Sequence, residues 1–304
     1  MEITASLVKE LREKSNAGMM DCKKALQETG GDIEKAIDYL REKGLSKASK
    51  KADRIAAEGL TAALVSADGK RGVVVEVNSE TDFVAKNDEF RGFVETVAKT
   101  ALEKEPADVE TLKEEKLEDG KTLQESLTDK IAKIGENMSI RRFAVEKVAA
   151  GRVVSYIHAG GKISVIVALE SEGEQEALEV LGKDLAMQVA AMNPKYISID
   201  DVDADFIAHE REILIAQALN EGKPKNIVEK MVEGRLQKEL KEVCLLEQAF
   251  VKDGDITVKK YVENTAAKAG KPIKVAGVKR FEVGEGIEKK SENFAEEVAK
   301  QMGK

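Results

Sequence analysis

Through residues 3–43 the apolar positions recur three and four apart, the spacing of short amphipathic helices. Leu7, Val8 and Leu11 stripe a first helix that Thr4 can cap. After a turn at Asn16-Ala17-Gly18-Met19-Met20, Asp21 is placed to cap a second helix carrying Cys22, Ala25 and Leu26. Gly30-Gly31 ends it, because glycine accepts the left-handed C-cap conformation. Asp32 caps a third helix with Ile33, Ala36, Ile37 and Leu40. Residues 1–44 therefore read as a three-helix domain with a small core. Met19 and Met20 either close that core or form an apolar patch for a partner, and both readings stand. Residues 45–56 follow as a basic linker, with Lys47, Lys50, Lys51 and Arg54 among small residues, a solvated spacer or a fraying helix end.

From residue 57 the pattern changes to β-branched runs, and it repeats. Aligning Gly59 with Gly151 carries Ala57 onto Ala149, Ala67 onto Ala159, Gly69 onto Gly161 and Lys70 onto Lys162, without a gap. Val73, Val75, Ser79 and Glu80 fall on Val165, Val167, Ser171 and Glu172. Each copy reads as strand, glycine turn, strand, then a helix striped by Phe90, Phe93, Val94 and Val97 or by Leu181, Leu185 and Val189. Arg142-Phe143-Ala144-Val145 resembles Arg280-Phe281-Glu282-Val283 at a wider offset, and residues 200–247 carry the surplus. There a helix with Phe206, Ile213, Leu214 and Ala218 meets a Gly/Pro turn at Asn220–Asn226. A second helix follows with Ile227, Met231, Leu236, Leu240, Val243 and Leu246, which predicts an antiparallel helical hairpin. Residues 101–130 are acidic and weakly patterned, and read as connecting helices. Ser291 to Met302, with Phe294, Val298 and Met302 on one face, predicts a C-terminal helix in a module at 285–304. The fold class is α+β: the three-helix domain, a core duplicated as 57–146 and 147–284 with antiparallel sheets, the hairpin inserted at 200–247, and the C-terminal helix.

Composition narrows the partners. A formal net charge of -8 argues against nucleic acid as the main one, since phosphate binding wants a basic face. Two distant cysteines, Cys22 and Cys244, without a CxxC fit a reducing, cytoplasmic setting. The N-terminus shows no basic region followed by an apolar run, and no apolar stretch approaches the roughly 20 residues that span a bilayer, so no membrane partner is expected.

Motifs for chemistry are few. No G-x-x-x-x-G-K-[ST] occurs, so the chain is not read as a P-loop nucleotide binder. His209-Glu210 opens like a zinc-protease helix, but position 213 is Ile. Asp201-Val202-Asp203-Ala204-Asp205 half-resembles a calcium loop, yet Phe206 stands where that loop needs glycine, so an acidic helix start is the better reading. His158 follows a strand run beside Ala159 and two glycines, and reads as a contact or packing histidine. No nucleophile–base set stands out, and no cofactor, metal or catalytic residue is expected.

One corner interrupts the apolar pattern. The run Val73-Val74-Val75-Glu76-Val77-Asn78 stops at Ser79-Glu80-Thr81-Asp82-Phe83-Val84, and a helical pattern begins. Phe83 could staple the helix start to the core with Asp82 as its cap, or it could stand out for a partner. In the second copy these positions are Glu174 and Gln175, whereas the apolar character of Val73/Val165 and Val97/Val189 is kept. The residues alone leave both readings open.

Thr81-Asp82-Phe83-Val84-Ala85-Lys86 resembles the signature of bacterial elongation factor Ts, and so does Gly18-Met19-Met20-Asp21-Cys22-Lys23-Lys24-Ala25-Leu26. The Gly18-Met19-Met20 turn is also similar to the loop of ubiquitin-associated domains. The resemblance runs along the whole chain and is weakest in 101–130. It implies a guanine-nucleotide exchange factor for elongation factor Tu, not an enzyme. Asp82 and Phe83 would enter the partner's GTPase domain and disturb its Mg²⁺ site, with Thr81 and Val84 flanking. It further implies that the N-terminal domain and C-terminal module grip the GTPase domain, while the second half of the core meets another domain. Met19, Met20 and His158 are further contacts on this reading. The alternative is a chaperone-like or scaffold protein without exchange activity, for which Asp82 and Phe83 are dispensable. A metal-dependent enzyme built around His158 ranks below both. Self-association through the hairpin is left open.

Overall fold

The computed structural model describes residues 3–15 and 17–288, and the helix expected at Ser291 to Met302 lies outside them. Among the described residues the chain forms two compact units, one of 3–62, 75–143 and 282–288, the other of 63–74 and 144–281.

The first unit opens with α1 (Ala5–Ser15), α2 (Met19–Glu28) and α3 (Ile33–Ser49). They bury Val8, Leu11, Cys22, Ala25, Leu26 and Ala36 against one another, as the spacing predicted. Asp32 caps α3 by accepting from the Lys35 N–H at 3.1 Å. One expectation is corrected. Gly18, not Asp21, is the N-cap of α2. Asp21 sits inside the first turn and pairs with Lys47 at 3.0 Å and Lys43 at 3.7 Å. The basic stretch after residue 44 continues α3 as far as Ser49, the helix-end alternative of its two readings, and its cations find partners. Besides Lys47, Lys51 Nζ donates to the Ile131 carbonyl at 3.5 Å.

The first copy of the repeat supplies β1 (Glu58–Val65), β2 (Arg71–Ser79), α4 (Asp82–Ala85), α5 (Asp88–Lys104), α6 (Val109–Glu114), α7 (Leu123–Ile134) and β3 (Met138–Lys147). Its strands form one sheet in the order β1-β2-β3. Phe90, Phe93, Val94, Val97, Ala98 and Ala101 are buried on one face of α5. Lys130 and Lys133 of α7 both pair with Glu89 of α5, at 2.7 and 2.9 Å.

The second copy supplies β4 (Gly151–His158), β5 (Ile163–Glu170), α8 (Gln175–Met192), α9 (Ala204–Asn220), α10 (Lys225–Val243), β6 (Ala249–Phe250), β7 (Asp253–Thr257), α11 (Val258–Ala269) and β8 (Lys274–Glu282). β4 and β5 pair antiparallel, with Gly151 opposite Glu170 and His158 opposite Ile163, in a sheet ordered β4-β5-β8. Leu178, Leu181, Leu185 and Val189 of α8 pack over Val165, Val167 and Leu169. The glycines that anchored the alignment behave alike. Gly59 has φ +131° and Gly151 φ +127°. A Cβ on the first would lie 2.2 Å from the Val77 carbonyl, and on the second 1.9 Å from the Leu169 carbonyl.

The inserted hairpin is α9 and α10, and its stripe is shifted from the expected one. Val228, Val232, Leu236 and Leu240 are buried with Leu214, Ala218 and Cys244, while Ile213 and Ile227 are exposed. Counting back in fours from Leu240 and Leu236 reaches Val232 and Val228, which sets the phase. Leu246 leaves the stripe and packs on the core beneath α8. The two helices thus bury their apolar faces on each other within one chain. No helix among the described residues is long and apolar enough to cross a membrane.

Candidate protein-binding site

β2 is buried along nearly its whole length and ends at the corner. Thr81 follows with an extended backbone and caps α4, its Oγ1 accepting from the Val84 N–H at 3.4 Å. α4 is a single turn. Neighbouring side chains on a helix point about 100° apart, so burying Val84 and Ala85 turns Phe83 outward, and Phe83 is 78% exposed. A separate cap, Asn87, starts α5 by accepting from Glu89 and Phe90 N–H at 2.8 and 3.3 Å. Phe83 therefore staples nothing, and Asp82 is not the cap. Asp82 lies in the first turn and accepts from Lys86 Nζ at 2.7 Å. The same ammonium sits 5.8 Å from the centroid of the Phe83 ring. Such an exposed ion pair is weak, so Asp82 can exchange it for another cation. Of the four residues expected at this site, Asp82 and Phe83 face outward. Thr81 and Val84 hold the turn from beneath, because the cap and the buried anchor must point inward.

The corner is held by residues that sequence reasoning missed. Glu136 accepts from the Thr81 N–H at 3.0 Å and from its Oγ1–H at 2.7 Å. Asn137 donates its N–H to the Glu80 carboxylate at 2.5 Å. Its Nδ2 donates to the carbonyls of Ala52 and Arg54, at 3.2 and 2.7 Å. The visible signal was Gly135-Glu136-Asn137 at a helix end, where Gly135 adopts φ +93°. Nothing in the sequence paired it with residues 80–81.

Glu76 was also missed. It is fully buried, and its Oε1 accepts from Arg141 Nη1 at 3.0 Å, Asn78 Nδ2 at 3.0 Å and the Gly284 N–H at 2.8 Å. Oε2 accepts from Arg142 Nε at 2.6 Å. Burial pushes this carboxyl up, but the hydrogen bonds from Gly284, Asn78 and the two arginines outweigh it and hold it below the usual carboxylate range. Arg142 continues to Glu285 at 3.0 Å, so the cluster pins the turn after β8. That turn passes so close to Ala57 that a Cβ on Gly284 would lie 2.2 Å from its carbonyl.

The other expected contacts belong to other elements. Met19 and Met20 open α2 with 59% and 72% of their surface exposed, which decides against the core-closing reading. His158 ends β4 in the second unit, exposed, with its Nδ1 3.0 Å from the Tyr156 hydroxyl. Among the described residues no group of His, Cys, Asp and Glu is arranged to hold a metal ion.

The corner thus holds an exposed aromatic ring beside a half-exposed carboxylate, on a backbone braced from below. Residues 80–285 match the family described as Elongation factor TS. A relative named Elongation factor Ts from Clostridioides difficile (strain 630) is 62% identical over 300 residues, covering 99% of either chain. Relatives of the same name from Clostridium botulinum (strain Eklund 17B / Type B) and Clostridium perfringens (strain SM101 / Type A) are 56% and 57% identical over 302 residues, covering 99% of this chain and 100% of theirs. The chain belongs to the elongation factor Ts family.

Proposed function

We propose that this chain is a guanine-nucleotide exchange factor for elongation factor Tu in translation elongation, and that Phe83 and Asp82 deliver the exchange. The observation that carries the site is the 78% exposure of Phe83 on a turn whose next two residues, Val84 and Ala85, are buried. Family membership supports the partner. Docking a ring of this size into the GTPase displaces the element it meets. Mg²⁺ in the partner demands near-ideal octahedral geometry and bridges the nucleotide phosphates, so a small displacement there weakens GDP. Each 1.4 kcal/mol transferred from nucleotide binding to factor binding costs GDP about tenfold in affinity. The coupling is reciprocal, so incoming nucleotide expels the factor. Nothing in this cycle makes or breaks a covalent bond, and the factor acts as a binding protein. Met19 and Met20 on the three-helix domain, and His158 in the second copy, are further contacts on the GTPase domain and a second domain of the partner. Translation places this work in the cytoplasm.

The test is stopped-flow release of a fluorescent GDP analogue from elongation factor Tu. The expected result is acceleration that rises and saturates with this chain. Binding without acceleration would overturn the proposal and leave a scaffold.

A further inference from the structure

We infer that Glu136 is a positioning residue for exchange, fixing the direction in which α4 presents Phe83 and Asp82; the inference rests on the exchange reading above. α4 has four residues, too few to hold itself as an isolated helix. Its own cap bond is long, at 3.4 Å. The direction of the turn is therefore set by what holds Thr81: its carbonyl accepts from the Ser79 hydroxyl at 3.0 Å, which leaves its N–H and hydroxyl for another group. Glu136 takes both of its donors in one fork, the N–H and the hydroxyl. With the hydroxyl proton directed at Glu136, the lone pairs of Thr81 Oγ1 are left for the Val84 N–H. The fork thus sets the cap as well as the pivot. Asn137, the next residue, holds Glu80, on the N-terminal side of the pivot, and is itself held by the carbonyls of Ala52 and Arg54.

The second copy of the repeat supplies an internal control. At the position of Thr81 it has Gly173, whose N–H goes to Ser171 Oγ at 2.9 Å, and α8 starts without a side-chain cap. The copy that lacks the outward aromatic ring also lacks the hydroxyl that the brace grips. The brace accompanies Phe83 rather than the shared fold.

The full chain carrying Glu136→Ala, Glu136→Gln or Phe83→Ala would be compared with the unaltered chain. Three readouts are the maximal GDP release rate from elongation factor Tu, the concentration for half-maximal acceleration, and amide hydrogen exchange at residues 82–86 without partner. Glu136→Ala should lower the maximal rate about tenfold, as loss of two charge-assisted hydrogen bonds at the pivot implies. The half-maximal concentration should move by less than about threefold, because the rest of the interface is intact. Amides of Val84, Ala85 and Lys86 should exchange faster. Glu136→Gln should recover at least half of the rate, since its amide can accept from the Thr81 N–H and donate to the hydroxyl. Unchanged release and unchanged amide exchange in Glu136→Ala would overturn the inference. So would equal loss in both Glu136 variants with unchanged amide exchange, which would mark a direct contact with the partner. Normal release in Phe83→Ala would instead overturn the exchange-site reading, whatever the amides of the free chain report.

Discussion

Replacing Glu76 by glutamine keeps the shape of the most buried charge in the first unit and removes its charge. Four hydrogen bonds converge on the carboxylate, from Arg141, Arg142, Asn78 and the Gly284 N–H. In Glu76→Gln an NH₂ group faces one of these donors. Removing one partner of a buried ion pair costs about 3–5 kcal/mol. The two arginine side chains are 26% and 30% exposed and can regain water, which puts the loss at the lower end, about 3 kcal/mol. The chain has no tryptophan, so the assay is urea unfolding followed by far-UV circular dichroism, with amide exchange of residues 283–286 as the local probe. The pH dependence gives an independent check. The folded carboxyl titrates below its ordinary 4.5, so its contribution is fully present above that value and is lost as pH falls through the folded pKa. Between pH 7 and pH 4 the unaltered chain should therefore lose more stability than Glu76→Gln. A variant within about 0.5 kcal/mol of the unaltered chain at pH 7, with the same acid dependence, would refute the reasoning.

Other perturbations follow from the same geometry. Asp82→Ala should change stability by less than about 0.5 kcal/mol, since its pair with Lys86 is exposed. It should slow GDP release less than loss of Phe83 does, and the opposite ranking in stopped flow would contradict the roles given to the two side chains. Gly151→Ala should destabilise by about 2–4 kcal/mol, from the left-handed backbone and the clash with the Leu169 carbonyl, read by urea unfolding.

The sequence carried the architecture because the architecture is periodic. Helical spacing located Leu11, Leu26 and Ala36, and the aligned glycines at 59 and 151 marked two equivalent close approaches of backbone to backbone. Phase was harder to read where several apolar residues crowd one helix. In α10, Ile227 and Val228 are adjacent, and only packing against α9 decides which turns inward. Capping misled where two candidates stood close together. Asp21 and Asp82 have side chains suited to a cap, but Gly18 and Thr81 sit at the boundaries. The corner at 81–84 was visible as a break in the pattern. Its supports were not, because Glu136 lies far along the chain from Thr81, and an acidic residue after a helix-ending glycine has no distinctive signal. Glu76 was hidden in the same way. At the matching strand position the second copy buries Ala168, so the strand tolerates either residue. Only the arrival of Arg141, Arg142 and Gly284 in three dimensions gives the carboxylate its purpose.

The most direct measurement is the rate of GDP-analogue release from elongation factor Tu with saturating unaltered chain and with saturating Phe83→Ala, after circular dichroism has matched the two folds. Burying the exposed ring and losing it on truncation amounts to about 2–3 kcal/mol, or roughly 30- to 150-fold in rate if that energy acts on the exchange step. The account predicts a fall of that size with the fold unchanged. Release as fast with Phe83→Ala as with the unaltered chain would contradict it.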